Sequence, residues 1–303
     1  MYDIIVVGAG PAGLTSSIYG RRANKKVLVL ESKTYGGQII NTLDIANYPA
    51  YSHISGVDFA MNTYNQAKDL GAEFIFERVI DIKNNDDYKE VITEKNSYKG
   101  KTVILATGSE NRKLGLENED KLFGKGISYC ATCDGAFYKD KIVGVFGNTN
   151  TALKDSIYLS DIASTVYLIN KTNTFKEEDT FVSDIEKKDN IKILYNTNIT
   201  KFNYDKKLDS IDITDKEGNT SNIKIDGLFV AIGRNPENQN FAKLINLDNK
   251  GYIIAKEDCH TNVDGIFVAG DNRVKSLRQL VTATSDGAVA ATEAIKYINS
   301  KRK

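Results

Sequence analysis

The chain has 303 residues, balances 40 basic against 40 acidic side chains and carries only three cysteines. That length predicts about two domains with sizeable cores; the charge balance argues against wholesale nucleic-acid binding, and the few cysteines argue against a secreted disulfide framework. No apolar run approaches the roughly 20 residues that span a bilayer, and the start lacks a basic leader and cleavage site, so a soluble cytoplasmic protein is expected.

The first expected element is the apolar strand Asp3-Ile4-Ile5-Val6-Val7. It runs into Gly8-Ala9-Gly10-Pro11-Ala12-Gly13, then a helix, then the strand Val27-Leu28-Val29-Leu30-Glu31. This is the spacing of a βαβ dinucleotide fingerprint, in which each glycine has its own task. Gly8 allows the tight turn, Gly10 lets the backbone approach a pyrophosphate, and Gly13 lets helix and strand pack closely. The phosphates would sit at the helix N-terminus, where free N–H groups and the helix dipole favour negative charge. Glu31 is placed to accept from ribose hydroxyls. A chance glycine-rich turn is the bland alternative, against which stands the succession of strand, turn, helix and acid.

Further along, Val103-Ile104-Leu105 leads into Ala106-Thr107-Gly108, read as the crossing out of the first domain. Next comes Ser128-Tyr129-Cys130-Ala131-Thr132-Cys133-Asp134-Gly135. Two thiols at the Cys130–Cys133 spacing can close and open a short disulfide, which suggests redox chemistry. A zinc site competes, but it would have to recruit Cys259 and His260, adjacent ligands whose side chains diverge. Cys259 also reads as a simple buried thiol, and His53 and His260 as surface or packing residues. Asp134 can serve as a helix or turn cap.

The fingerprint then returns. Ile142-Val143-Gly144-Val145-Phe146-Gly147-Asn148-Thr149-Asn150-Thr151-Ala152 leads in register to Val166-Tyr167-Leu168-Ile169-Asn170. In this copy Thr149 stands where Gly10 stood and Asn170 where Glu31 stood. An NADP-binding unit loses the acid too, but offers arginines for the 2′-phosphate; here Asn170-Lys171-Thr172-Asn173-Thr174-Phe175-Lys176 contains none. Lys171 and Lys176 could still meet a phosphate as point charges. The alternative is a well-packed domain without a nucleotide. Ile191-Lys192-Ile193-Leu194-Tyr195 and Ile211-Asp212-Ile213 read as strands. Phe229-Val230-Ala231-Ile232-Gly233-Arg234-Asn235-Pro236 reads as a strand followed by breakers, a hinge-like exit. The Lys-rich C-terminus reads as a solvated tail.

Over nearly its whole length the chain resembles the low-molecular-weight thioredoxin reductase family. The resemblance rests on the Gly8 fingerprint, Gly36-Gly37-Gln38-Ile39, Asn47-Tyr48-Pro49, Ala106-Thr107-Gly108, Cys130-Ala131-Thr132-Cys133-Asp134, Gly265-Ile266-Phe267-Val268-Ala269-Gly270-Asp271 and Leu277-Arg278-Gln279-Leu280. It implies FAD, held by Gly8, Gly10, Pro11, Ala12, Gly13, Glu31, Ser32, Gly37, Gln38, Asn47, Ala106, Thr107, Gly108, Gly270, Asp271, Arg278, Gln279 and Leu280. Asp271 is expected near the ribityl chain, and Arg278 and Gln279 near the isoalloxazine. It also implies that Cys133 faces the flavin, that Cys130 attacks the substrate disulfide of thioredoxin, that Asp134 moves the proton, and that the protein is a homodimer.

The fold expected is α/β, with two Rossmann-like three-layer domains, the second inserted in the first. Residues 1–112 with 241–303 would bind FAD, and residues 113–240 would carry the Cys-x-x-Cys pair. Within the family the chain departs from the NADPH-dependent pattern, which has a full glycine set at Gly147–Thr149 and a His-Arg-Arg run at Asn170–Thr172. It is closest to the ferredoxin-dependent flavin enzymes, so NADPH is not expected to bind. Reduced ferredoxin is the expected donor, with Arg21, Arg22, Lys25, Lys26, Arg273 and Lys275 as candidate docking residues for an acidic partner. NADPH-dependent thioredoxin reduction, FAD-dependent dithiol oxidation and a flavin-binding interaction module are the other readings. The intact cysteine pair argues against the last.

Overall fold

Along the strand Tyr2–Val7 the side chains alternate. Ile4 and Val6 pack with Leu14, Val27 and Phe267 on one face, and Ile5 and Val7 with Leu28, Val103 and Ile253 on the other. A strand apolar on both faces needs a layer on each side of its sheet, and the computed structural model, which describes residues 1–175 and 180–301, has that form.

The chain divides into two compact units, Met1–Glu110 with Asn235–Lys303, and Asn111–Arg234. The exit therefore lies earlier than the expected 240/241. Phe241 and Ile245 pack in the core of the first unit, and Asn238 Nδ2 donates to the carbonyls of Gly251 (2.9 Å) and Asn272 (2.8 Å). The polar, breaker-rich run 235–240 is thus an integral part of the first unit.

In that unit the sheet order is Glu73–Phe76, Val27–Glu31, Tyr2–Val7, Ser97–Leu105, Lys89–Thr93, Val79–Asn84, with Ile266–Val268 also paired to Ser97–Leu105. The long strand Ser97–Leu105 makes both ladders. Its first half pairs antiparallel with Lys89–Thr93, and its last three residues pair parallel with Ile266–Val268. The helices Pro11–Arg22 and Leu280–Ser300 cover one face. They pack backbone to backbone: a Cβ on Gly287 would stand 2.3 Å from the Ala12 carbonyl oxygen.

The second unit repeats the plan. Five parallel strands, in the order Ile191–Leu194, Thr165–Ile169, Ile142–Phe146, Gly227–Val230 and Ile127–Ser128, form the sheet. The helix Asn150–Ser160 buries Ala152, Leu153 and Leu159 against Val143 and Val145. An antiparallel meander, Asn198–Tyr204, Leu208–Thr214 and Thr220–Lys224, packs Phe202 and Ile211 against Phe146 and Ile169 on the other face. The architecture is α/β with two Rossmann-like three-layer units. Among the described residues no helix is long and apolar enough to cross a membrane.

Candidate cofactor cavity and redox centre

The strand Tyr2–Val7 ends at Gly8, whose φ of +107° favours glycine and whose Cβ would lie 2.3 Å from the Ala106 carbonyl oxygen. A Cβ on Gly13 would lie 1.9 Å from the Gly8 carbonyl oxygen. Both positions are closed by the protein itself. Gly10 differs, because its Cβ would meet only Gly37 Cα, at 3.9 Å. No protein atom excludes a side chain there, so the glycine leaves space open in front of the helix. The helix Pro11–Arg22 starts at this point with no side-chain cap, leaving its first N–H groups and its dipole available to an anion.

A cavity of about 330 Å³ opens in front of this turn. Of the expected cofactor residues, Gly8, Gly10, Pro11, Ala12, Glu31, Ser32, Gly37, Gln38, Ala106, Thr107, Gly108, Gly270, Asp271, Gln279 and Leu280 line it. Glu31 Oε2 accepts from the Ala9 N–H at 2.8 Å and Oε1 from the Lys33 N–H at 2.9 Å, so the acid also fixes the turns beside it. Three expected residues do not line the cavity. Gly13 acts through packing. Asn47 Nδ2 donates to Gln279 Oε1 (3.2 Å). Arg278 turns onto carbonyls of its own loop. Ser109, Glu110, Glu237 and Ala283 line the cavity without having been singled out; nothing in their residue types marks them. A cavity with an open helix N-terminus, a glycine whose missing side chain would meet no close protein atom and an acid beyond it fits FAD.

In the second unit Cys130 and Cys133 form a disulfide across the short helix Ala131–Asp134, with Cα atoms 5.3 Å apart. Both cysteines are half-buried. Ser128 links the pair to the acid: its Oγ donates to Asp134 Oδ2 (2.6 Å) and accepts from the Cys130 N–H (3.1 Å). Burial pushes the Asp134 carboxyl above the usual carboxylate range, and the hydrogen bond from Ser128 opposes that rise. Glu119, buried, accepts from the Leu114 and Gly115 N–H groups and from the Tyr129 hydroxyl (2.7 Å), anchoring the residue before Cys130. Sequence reasoning passed over Ser128 and Glu119; the Ser-x-Cys spacing is the available signal for the first.

The returned fingerprint keeps the packing task. A Cβ on Gly147 would lie 2.5 Å from the Ala231 carbonyl oxygen, as one on Gly8 would from Ala106. The ligand-facing positions have changed. Thr149 caps the helix position without a side-chain hydrogen bond. Asn170 is buried and turned inward: Oδ1 accepts from the Thr172 N–H (2.9 Å) and Nδ2 donates to the Thr174 carbonyl (3.0 Å). Its side chain closes its own loop and is committed there. Lys171 is exposed, and Lys176 lies outside the described residues.

Several expected docking cations are structural. Arg273 and Lys275 are buried with Asp286, Lys25 is buried with its Nζ donating to Asn299 Oδ1 (2.9 Å), and Arg21 donates to the carbonyls of Leu70 and Lys25. Only Arg22 and Lys26 of that set are exposed. Cys259 is fully buried, its thiol pushed up to about 12 by burial. His53 and His260 lie beside Asp44 and Glu293. Among the described residues no cluster suited to a metal ion occurs.

The sequence matches the pyridine nucleotide-disulphide oxidoreductase family over residues 2–287. It is 41% identical to a thioredoxin reductase of Mycoplasma genitalium, over 96% of this chain and 93% of that protein. It is 36% identical to one of Listeria innocua, over 100% and 96%. A solved structure of thioredoxin reductase from Streptococcus pyogenes superposes with a TM-score of 0.96 at 36% identity, covering 99% of each chain.

Proposed function

The chain belongs to the low-molecular-weight thioredoxin reductases within the pyridine nucleotide-disulphide oxidoreductase family, and we propose on that premise that it reduces the disulfide of a thioredoxin. It is a flavoprotein disulfide oxidoreductase. The observation that carries the reading is the half-buried Cys130–Cys133 disulfide with Asp134 held behind it through Ser128.

FAD, when bound, accepts electrons singly or in pairs and delivers two to a disulfide. Reduction of Cys130–Cys133 leaves two thiols. The Cys130 thiolate attacks one sulfur of the thioredoxin disulfide, forming a mixed disulfide and expelling the other sulfur as a thiolate. Asp134, whose burial keeps it protonated to higher pH than a free aspartate, supplies a proton to that thiolate. Cys133 then attacks Cys130, which restores the internal disulfide and releases thioredoxin as a dithiol. Two electrons have left the protein, and two protons go with them.

For the donor we favour reduced ferredoxin, on the ground of Thr149 at the ligand-facing position and Asn170 committed to its own loop. Exposed Arg22 and Lys26 remain from the basic set that would meet an acidic carrier. A second reading, NADPH as donor, is supported by the relatives, which are named simply thioredoxin reductases. Dithiol oxidation gains nothing from those names. A homodimer rests on the resemblance alone and is measured by light scattering of the purified chain. The deciding experiment is anaerobic bleaching of the flavin. Bleaching by reduced ferredoxin with thioredoxin turnover is expected; rapid stoichiometric bleaching by micromolar NADPH would transfer the assignment to the second reading.

A further inference from the structure

Between Gly270 and the helix Leu280–Ser300 the chain has no helix or strand of its own, apart from a single bridge between Arg273 and Ile253. Yet Gly270 and Asp271 at one end and Gln279 and Leu280 at the other line the cofactor cavity. An irregular segment costs about 1–2 kcal/mol of backbone entropy per residue to order, so something else must hold this one.

Asn238 and Thr282 each hold one carbonyl of it, those of Asn272 and Leu277, but two side chains, Arg278 and Asp286, each bind it at three points. Arg278 spreads its planar fork over the loop: Nε donates to the Asp271 carbonyl (3.2 Å), Nη2 to that of Arg273 (3.0 Å) and Nη1 to that of Lys275 (3.4 Å). The same guanidinium stacks on Tyr252, 4.1 Å from the ring centroid. From beneath, Asp286 on the long helix binds the loop at three points. Its Oδ2 accepts from the Gly270 N–H (3.0 Å), Arg273 Nε (2.9 Å) and Lys275 Nζ (2.8 Å), and its Oδ1 from Arg273 Nη2 (2.9 Å). The Arg273, Lys275 and Asp286 side chains are 2%, 5% and 8% exposed. Such a buried charge cluster holds its geometry because moving any member leaves another charge uncompensated. Neither Arg278 nor Asp286 lines the cavity.

We propose that Arg278 and Asp286 are positioning residues for the flavin, which set the 270–279 loop in its cofactor-binding shape before the cofactor arrives. This rests on the flavoprotein reading and adds to it a division of labour. Asp271 and Gln279 meet the cofactor, while Arg278 and Asp286 keep those two residues where the cofactor needs them. When the braces are removed, the competent shape becomes one of several, and the apparent affinity falls by the fraction of time it is occupied. The loss then lies in capture, because the bound complex keeps its own contacts.

The test is FAD uptake by the full-length chain after removal of its flavin, followed by FAD fluorescence in stopped flow, with dissociation measured separately. Arg278→Gln is expected to slow association by about tenfold or more while dissociation changes by less than about threefold. Arg278→Lys, which keeps the charge but not the fork, falls between. Asp286→Asn is expected to match Arg278→Gln; should it fail to fold, because it strands two buried cations, Arg278→Gln carries the test alone. Unchanged association in Arg278→Gln overturns the proposal, as does a loss that lies wholly in dissociation, the mark of a direct contact. If the unsubstituted chain takes up no FAD, the flavoprotein reading fails and the proposal falls with it.

Discussion

Cys130 is the N-cap of its short helix, and its Sγ accepts from the Cys133 N–H at 3.2 Å. Cys130→Ser is therefore expected to leave flavin reduction intact and abolish thioredoxin turnover; turnover that survives would refute the role given to Cys130. Asp134→Asn is expected to lower turnover by about 10²-fold, and to remove from the pH profile the limb that Asp134 carries. Asp155 offers a stability test. Burial pushes its carboxyl to about 6 despite the pull of Arg234. Its folded value lies above the unfolded one, so its contribution is fully present below about pH 4 and is lost as pH rises through about 6. Asp155→Asn should thus gain about 1–3 kcal/mol over the unsubstituted chain between pH 4 and pH 8, read from urea midpoints. An equal gap at both pH values would rule this out. The cysteine pair was legible because its chemistry demands both residues at that spacing. Lys25, Arg273 and Lys275 were misread as docking cations because a charge in a sequence does not reveal whether it is buried.

At the scale of the element, the two fingerprints separate what packing requires from what a ligand requires. Gly13→Ala drives a methyl into the Gly8 carbonyl and should destabilise the chain by about 3 kcal/mol or more. The methyl of Gly10→Ala meets only Gly37 Cα, at 3.9 Å, so this variant should fold while losing FAD affinity by about tenfold or more. Parallel melting and FAD titrations distinguish the two; equal loss of stability would refute the distinction. The strands and both turns were readable from alternation and glycine spacing, because those patterns follow from backbone geometry. The exit of the inserted unit was legible as the breaker-bearing run 229–236, in which the division between Arg234 and Asn235 falls, but its bound at 240 was set too late. Asn238 looks like a linker residue until its hydrogen bonds are seen. The resemblance assigned Arg278 and Gln279 to the flavin together, but adjacent residues in a motif need not point the same way, and of the two Gln279 alone lines the cavity.

For the whole molecule, every residue lining the FAD cavity belongs to the first unit. Urea unfolding should accordingly resolve two transitions, of which FAD moves one. At a hundredfold excess over its dissociation constant FAD should add about 2.7 kcal/mol to that transition, and equal shifts in both would contradict the assignment. The first unit is also discontinuous, since Ser97–Leu105 waits for Ile266–Val268 as a neighbour and Gly270, Asp271 and Gln279 come from the far end of the chain. During synthesis its two halves emerge separated by the whole inserted unit. At roughly 5–20 residues per second, the first half is exposed for about 6–25 seconds before its partner begins to appear. The inserted unit can be finished in that interval. The cofactor can be loaded only once Gln279 and Leu280 have emerged, which makes flavin acquisition a report that the returning segment of the first unit has been made.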